Sequence, residues 1–419
     1  MARTDRSGPV FGAVADDLTG AVDLAAGLAA AGLRTRIYTS PDAFDPEGTE
    51  ALVIALKTRT APRGDAVELS LAAARALVAE DVDILFFKYC STFDSTATGN
   101  IGPVTDALME LVGARVAVVA PGYPVIERTV YQGHLFVGDS LLSRSSMRHH
   151  PLTPMTESDV AVLMRAQSSY RVGKVLLGEL RRGSARARFQ ELSSAGVRYA
   201  VVDTIEDGDL DLLADACRDH RLVTGGAGLA HALARRLGAE SRVEHWRAPV
   251  GRGGILAGSC SLATLRQVAT FARDDQVYAL DPRESVDVQA AVDKAVRWAL
   301  AQPPDRPFLI ASSTDPAELE EIHASLGRLR AAELVERLTG LIAAELVAAG
   351  VSRLLIAGGE TAGAVTAALG IKSMRVTLQI GPGLAWCETD TGVALALKSG
   401  NFGEDTVFRD AHDLLGATT

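Results

Sequence analysis

"PVFGAVADDLTGAVDLAAGLAAAG", residues 9–32, contains a strand, a turn and a helix in immediate succession. PVFGAVA has the small and β-branched apolar residues of a buried strand, and DDLTG supplies a turn. AVDLAAGLAAAG reads as a helix starting near Ala21 and stopped by Gly32, because glycine accepts the left-handed backbone that ends helices. A buried strand running straight into a helix is the repeating half of a parallel α/β sheet. In such sheets ligands bind at the carboxyl ends of the strands, which is where Asp16 and Asp17 stand.

The same alternation extends outward. Strand-like runs recur at RTRIYT, ALVIAL, DILFFKY, RVAVVA and RYAVVDT, with helical runs such as AVELSLAAARALVAE between most of them. From Pro121 to Met155 the pattern breaks into a Pro-, Gly-, Arg- and His-rich stretch with no sustained period. An ordered loop of that length is usually a lid or binding wall. Residues 239–254, polar and aperiodic, read as a domain boundary. A second α/β series follows: GILAGS, QVYAL, PFLIASS, RLLIAGG and VALALKSG as strands, and residues 317–350 helical throughout. The expectation is an α/β protein of two domains, each a mainly parallel sheet flanked by helices, with the active site in the cleft between them. The domains are 1–240 and 254–419, joined by a linker at 241–253.

Composition narrows the function. The chain has 419 residues, 47% hydrophobic and 22% charged, with a formal net charge of -10 and scattered Lys and Arg. Nucleic acid requires a basic face, so no nucleic-acid partner is expected, whereas a small anion needs only one or two well-placed cations. The four cysteines (Cys90, Cys217, Cys260, Cys387) form no CxxC, which points to free thiols in a reducing compartment. No segment reads as a signal peptide or a membrane span, so a cytoplasmic location without a membrane partner is expected. A homodimer is left open.

Three polar clusters follow strands in the first half: Ala15–Gly20 (ADDLTG), Lys57–Thr60 (KTRT) and Lys88–Ser95 (KYCSTFDS). Together they suit a small polyhydroxylated acid. Arg59 can grip a carboxylate with its two-pronged guanidinium, and Ser91 and Thr92 can bond sugar hydroxyls. Asp16 or Asp17 can take the proton of a reacting hydroxyl. The competing readings are that one of the two acids caps the helix, that Arg59 and Lys88 form surface ion pairs, and that the Ser/Thr loop bonds to itself.

In the second half three glycine turns occupy equivalent positions: Gly258–Ser261 (GSCS), Gly358–Gly363 (GGETAG) and Lys398–Gly403 (KSGNFG). Glycine lets the backbone approach a phosphate, and a helix N-terminus offers free N–H groups; the competing reading of Gly358-Gly359 is a tight turn only. No GxxxxGK[ST] loop occurs, and GGAGLA (225–230) lacks the third glycine of the dinucleotide fingerprint. His134, His149 and His150 lack any partner in sequence that would make them catalytic.

ADDLTGA, KTRT, KYCSTFDSTATGNIGP, RTVYQGHLF, HPLTPM, GGETAGAV and LALKSGNFG together resemble the four-carbon acid sugar kinase family, most closely its 3-oxo-tetronate kinase branch, from Ala15 to Gly403. The resemblance implies an N-terminal domain for the sugar acid and a C-terminal domain for ATP. It implies transfer of the γ-phosphoryl group to the terminal hydroxyl, with Mg²⁺ bridging the phosphates and its ligands unassigned. Substrate contacts would fall on Asp17, Arg59, Lys88, Tyr89, Cys90 and Ser91. ATP contacts would fall on Ser259, Gly358, Gly359, Glu360, Thr361 and Gly403, with Asp17 as base and Asp16 as second choice. Arg144 and Ala227 depart from the family's usual acid and serine. The alternatives are a kinase for D-threonate or D-erythronate on the same scaffold, a non-catalytic sensor of sugar acid or nucleotide, and a nicotinamide-dependent oxidoreductase, which the missing fingerprint disfavours.

Overall fold

Phe11–Ala15 (β1) is buried along its whole length, which requires cover on both faces of the sheet. The computed structural model describes residues 9–150, 152–237, 246–284, 287–312 and 314–416. They form two compact units, Met1–Arg242 and Val243–Thr419. Part of the expected linker at 241–253 lies outside the described residues.

The first unit continues with β2 (Thr35–Tyr38), β3 (Ala51–Ala55), β4 (Ile84–Lys88), β5 (Ala117–Ala120), β6 (Arg128–Tyr131), β7 (His134–Val137) and β8 (Ser140–Leu141), then β9 (Arg171–Val175), β10 (Val197–Val202) and β11 (Leu222–Gly225). Its main sheet has the order β2-β3-β1-β4-β11-β5-β10-β9, parallel throughout. Among the described residues eight α-helices accompany it: α1 (Leu18–Ala30), α2 (Arg63–Ala79), α3 (Ile101–Val112), α4 (Val160–Gln167), α5 (Leu177–Arg181), α6 (Ala185–Ser194), α7 (Asp207–Cys217) and α8 (Ala227–Leu237). α1 packs on α8 and α8 on α7, while α2 packs on α3. The core includes an aromatic run in which the Phe87 ring lies 5.6 Å from Tyr89 and Tyr89 lies 5.7 Å from Phe93. Burying one such side chain stabilises by about 1.5–3 kcal/mol.

The second unit contains β12 (Arg252–Ala257), β13 (Val277–Ala279), β14 (Phe308–Ala311), β15 (Val351–Ala357), β16 (Ser373–Gly381), β17 (Leu384–Thr389) and β18 (Ala394–Lys398). Within it the order is β13-β14-β12-β15-β18-β17-β16. Pairing is parallel as far as β18 and antiparallel for β17 and β16. Its helices are α9 (Leu262–Phe271), α10 (Val288–Ala301), α11 (Pro316–Leu326), α12 (Arg328–Ala348), α13 (Gly359–Ala368) and α14 (Val407–Gly416). No helix among the described residues is long and apolar enough to cross a membrane.

Several local expectations need correcting. Helix α1 begins at Leu18 rather than near Ala21, because extended Asp17 caps it through the Gly20 amide. The stretch 121–155 is not one irregular loop. It holds the antiparallel meander β6-β7-β8, whose first hairpin turns on Gln132 and Gly133, both with positive φ (51° and 80°), the primed turn that suits strand twist. Residues 317–350 are two helices rather than one, broken at Gly327, whose φ of 78° leaves the helical range. The runs of β9, β16 and β17 were absent from the expected strands. β9 is a half-exposed edge strand, RVGKV, with little apolar signal.

Candidate active site

β1 pairs with β3 on one side and β4 on the other, so Ala15 stands level with Ala55 and with Lys88. The three polar clusters of the first unit therefore meet at one rim. Asp16 and Asp17 leave β1, residues 57–60 leave β3, and Lys88 is the last residue of β4.

Asp17 caps α1, and its carboxylate accepts three hydrogen bonds, which leaves an acceptor site on Oδ2. Oδ1 accepts from the Gly20 amide at 3.1 Å and from Arg59 Nη2 at 2.6 Å, and Oδ2 accepts from the Thr19 hydroxyl at 2.6 Å. Arg59 is no surface ion-pair partner. Its Nε and Nη2 also donate to the two oxygens of Asp16 at 3.0 and 2.8 Å, and Asp94 stands 3.7 Å from Nη1. Burial raises the Asp16 carboxyl above its ordinary value, outweighing the pull of Arg59. At Asp17 burial also pushes upward, but Arg59, Lys88, the Thr19 hydroxyl and the Gly20 amide together hold the group below its ordinary value. Asp17 is thus the more readily ionised acid of the two.

Lys88 is buried and donates from Nζ to the Tyr89 carbonyl at 2.9 Å. The Tyr89 ring lies in the core with its hydroxyl 3.1 Å from the Thr224 hydroxyl, and its amide donates to the Gly225 carbonyl at 3.1 Å. The Cys90 thiol, 3.0 Å from the Thr92 hydroxyl, is pushed up to about 12 by burial and by Asp94; it stays protonated. Thr92 donates to Asp94 at 3.3 Å, so part of the Ser/Thr loop does bond to itself. The Ser91 hydroxyl makes no bond among the described residues and is open to a ligand. Phe93 and Asp94 have φ of 65° and 45°, a strained backbone for a bulky residue. The loop is held by Gln167, whose Nε2 donates to Ser95 Oγ at 2.9 Å and to the Thr96 carbonyl at 2.8 Å, and by Asn100, which donates to the Thr58 and Ala61 carbonyls. Asp94 was inside the quoted motif but had no assigned role, and only the fold brings it to Arg59.

One turn further along α1, Asp23 is buried with Oδ1 unpartnered. Burial raises its carboxyl to about 6, with Lys88 opposing. In the irregular segment, His134 Nδ1 faces the Gln132 carbonyl and His150 Nδ1 bonds Thr153; neither has a catalytic partner there.

The second unit repeats the arrangement. Ala257, Ala357 and Lys398 stand level at the ends of β12, β15 and β18, so the three glycine turns converge. A Cβ on Gly258 would lie 2.1 Å from Thr361 Oγ1, and one on Gly400 would lie 2.3 Å from Ser259 Oγ. The Thr361 and Ser259 hydroxyls thus occupy the space a side chain would need at Gly258 and Gly400. Helix α13 starts after Gly358 with no side-chain cap, the kind of helix end that can receive an anion.

The third turn is held from behind. Lys398 Nζ donates to the carbonyls of Ser399, Gly400 and Phe402 at 2.9, 3.1 and 3.0 Å. Ser261 and Thr264 also donate to the Gly400 carbonyl, and Gln267 Nε2 donates to the carbonyls of Phe402, Gly403 and Glu404. With the carbonyls drawn inward, the amides of Gly400, Asn401 and Gly403 make no bond among the described residues. Burial pulls the Lys398 ammonium down to about 7. Lys398 and Gln267 are the residues that motif reading passed over. Lys398 was in view within KSGNFG, but nothing in a sequence shows that a lysine points inward.

Residues 11–233 match the family model described as a sugar-binding N-terminal domain, and residues 255–408 match the one described as a nucleotide-binding C-terminal domain. The chain belongs to the four-carbon acid sugar kinase family. A protein of Brucella melitensis named 3-oxo-tetronate kinase is 42% identical over 415 residues, spanning 96% of this chain and 95% of the relative. One of Burkholderia multivorans with the same name is 42% identical over 416 residues, spanning 97% of each. A crystal structure from Salmonella typhimurium LT2 superposes with a TM-score of 0.87 at 40% identity, covering 96% of this chain and 98% of that one. The protein is a carbohydrate kinase of this family. Its two rims lie in the two matched domains, the acids and Arg59 in the first and the glycine turns in the second.

Proposed function

We propose that this kinase moves the γ-phosphoryl group of ATP to the terminal hydroxyl of a four-carbon sugar acid, with 3-oxo-tetronate (3-dehydro-threonate or -erythronate) as the acceptor and its 4-phosphate as the product. The observation that carries the reading is Asp17: an ionised carboxylate fixed by three donors at the rim of a parallel sheet. The relatives named 3-oxo-tetronate kinase support the choice of acid.

Phosphoryl transfer needs positioning and charge neutralisation more than covalent chemistry. Asp17 accepts the proton of the attacking hydroxyl, with Asp16 as second choice. Arg59 keeps Asp17 ionised and oriented, while Ser91, Lys88 and the backbone of Tyr89 and Cys90 line the acceptor. The first turn of α13 and the turn at Gly403, with Ser259, receive the phosphates; glycine suits this cluster because an added Cβ at Gly258, Gly358 or Gly400 would crowd Ser259 or Thr361. Among the described residues no group of three or more His, Cys, Asp or Glu could hold a metal ion. Mg²⁺ would supply charge neutralisation at the phosphates. Because it draws on ATP, we place this kinase in the cytoplasm.

The test is ADP release over a panel of four-carbon sugar acids. Turnover of 3-oxo-tetronate above threonate and erythronate supports the assignment. Ligand-induced thermal stabilisation with no turnover of any acid would make the protein a sensor instead.

A further inference from the structure

A substrate carboxylate needs a cation whose charge is not already committed. Arg59 faces three carboxylates, and the charge of Lys88 already acts on Asp16, Asp17 and Asp23. Arg128 is in a different state. It opens β6, and its backbone exchanges hydrogen bonds with Tyr123 at 2.6 and 3.1 Å across the turn that leaves β5. The side chain is half-buried, yet among the described residues no carboxylate pairs with it. Nη1 donates to the Ile126 carbonyl at 2.7 Å and the Glu127 carbonyl at 3.4 Å. Nε is buried without any partner. With Nη1 occupied, Nε and Nη2 remain, the side-on pair of donors that accepts a carboxylate in two parallel bonds.

The fold puts this arginine beside the acceptor loop. Ala120 at the end of β5 stands level with Gly225 at the end of β11, which stands level with Lys88. The turn after β5 and the Ser91 loop close on Gly226, whose added Cβ would lie 2.7 Å from the Pro121 carbonyl and 3.5 Å from Ser91 Cβ. Burial pulls the Arg128 guanidinium below its ordinary value, with the neighbouring Cys90 and Glu127 opposing, and the guanidinium stays charged.

We propose that Arg128 binds the carboxylate of the sugar acid through Nε and Nη2 and sets the preference for acids over neutral four-carbon sugars. This rests on the kinase reading above, and the test separates the two. Wild type, Arg128→Met and Arg128→Lys are assayed with 3-oxo-tetronate and with erythrulose, the same ketone carrying a hydroxymethyl group in place of the carboxylate. Arg128→Met should lose roughly 100-fold or more in kcat/KM on the acid, mainly through KM, the scale of losing one partner of a buried charge pair. Its slow rate on erythrulose should stay at the wild-type level, and Arg128→Lys should recover only part of the acid rate. An unchanged ATP-induced thermal shift confirms a folded variant. Equal losses on both acceptors, or none on the acid, would overturn the proposal. Calorimetric titration of 3-oxo-tetronate onto the same variants reads the contact without turnover: undiminished affinity in Arg128→Met refutes it even if the kinase reading has failed, and lost affinity supports it.

Discussion

Arg59 Nη2 stands 2.6 Å from Asp17 Oδ1, and the same oxygen accepts the Gly20 amide that starts helix α1. One carboxylate therefore caps a helix and holds a half-buried cation at once. The capping and catalytic readings of the Asp16-Asp17 pair are not alternatives, because the cap is what fixes the carboxylate at the rim.

Asp17→Asn keeps a residue that caps as well as aspartate, so the fold should survive. Turnover should fall about 10²–10⁴-fold, the usual loss on removing a general base. ADP release beside a melting curve checks this, and near-full kcat with normal acid binding would remove Asp17 from the base role.

Asp23 should make stability depend on pH. Its folded carboxyl is raised from 3.8 to about 6, so between those values the native state binds more protons than the unfolded state, and stability falls as pH rises. Above pH 6 the whole penalty is present, roughly 3 kcal/mol at most. Asp23→Asn should raise Tm at pH 8 and flatten the profile between pH 4 and 6; unfolding curves across that range test it.

Gly358 has a φ of 126°, and an added Cβ would lie 3.2 Å from both the Ser259 amide and Thr361 Oγ1. Gly358→Ala should cost about 1–3 kcal/mol in backbone strain and raise KM for ATP. Binding of the sugar acid, measured by calorimetry, should not change. A variant with wild-type affinity for ATP would show that this turn takes no part in phosphate binding.

The Tyr89 hydroxyl meets Thr224, which also donates to the Val118 carbonyl at 2.6 Å. Tyr89→Phe should lose about 1 kcal/mol of stability and leave kcat/KM unaltered. A large loss of activity with an intact melting curve would mean that the hydroxyl reaches the substrate after all.

Much of this was legible from the chain alone. The run 9–32 announced strand, turn and helix, since a buried parallel strand must be apolar throughout and a helix must present a continuous apolar stripe. Equivalent positions after successive strands marked both rims, because parallel strands bring their carboxyl ends to one edge. The meander after β5 was hidden by its brevity, with strands of four, four and two residues, too short for alternation to register. The break at Gly327 was masked by apolar periodicity on both sides.

The sequence by itself determined the two α/β series, the motifs and the residues able to do the chemistry, since these depend on local pattern and residue type. Tertiary structure alone decided how the charges are allotted: Arg59 to Asp16, Asp17 and Asp94, Lys398 to three carbonyls, and Arg128 to no ion pair among the described residues. Which partner a charge meets, and how much water it keeps, is set by side chains tens of residues away along the chain, and no local pattern encodes that distance.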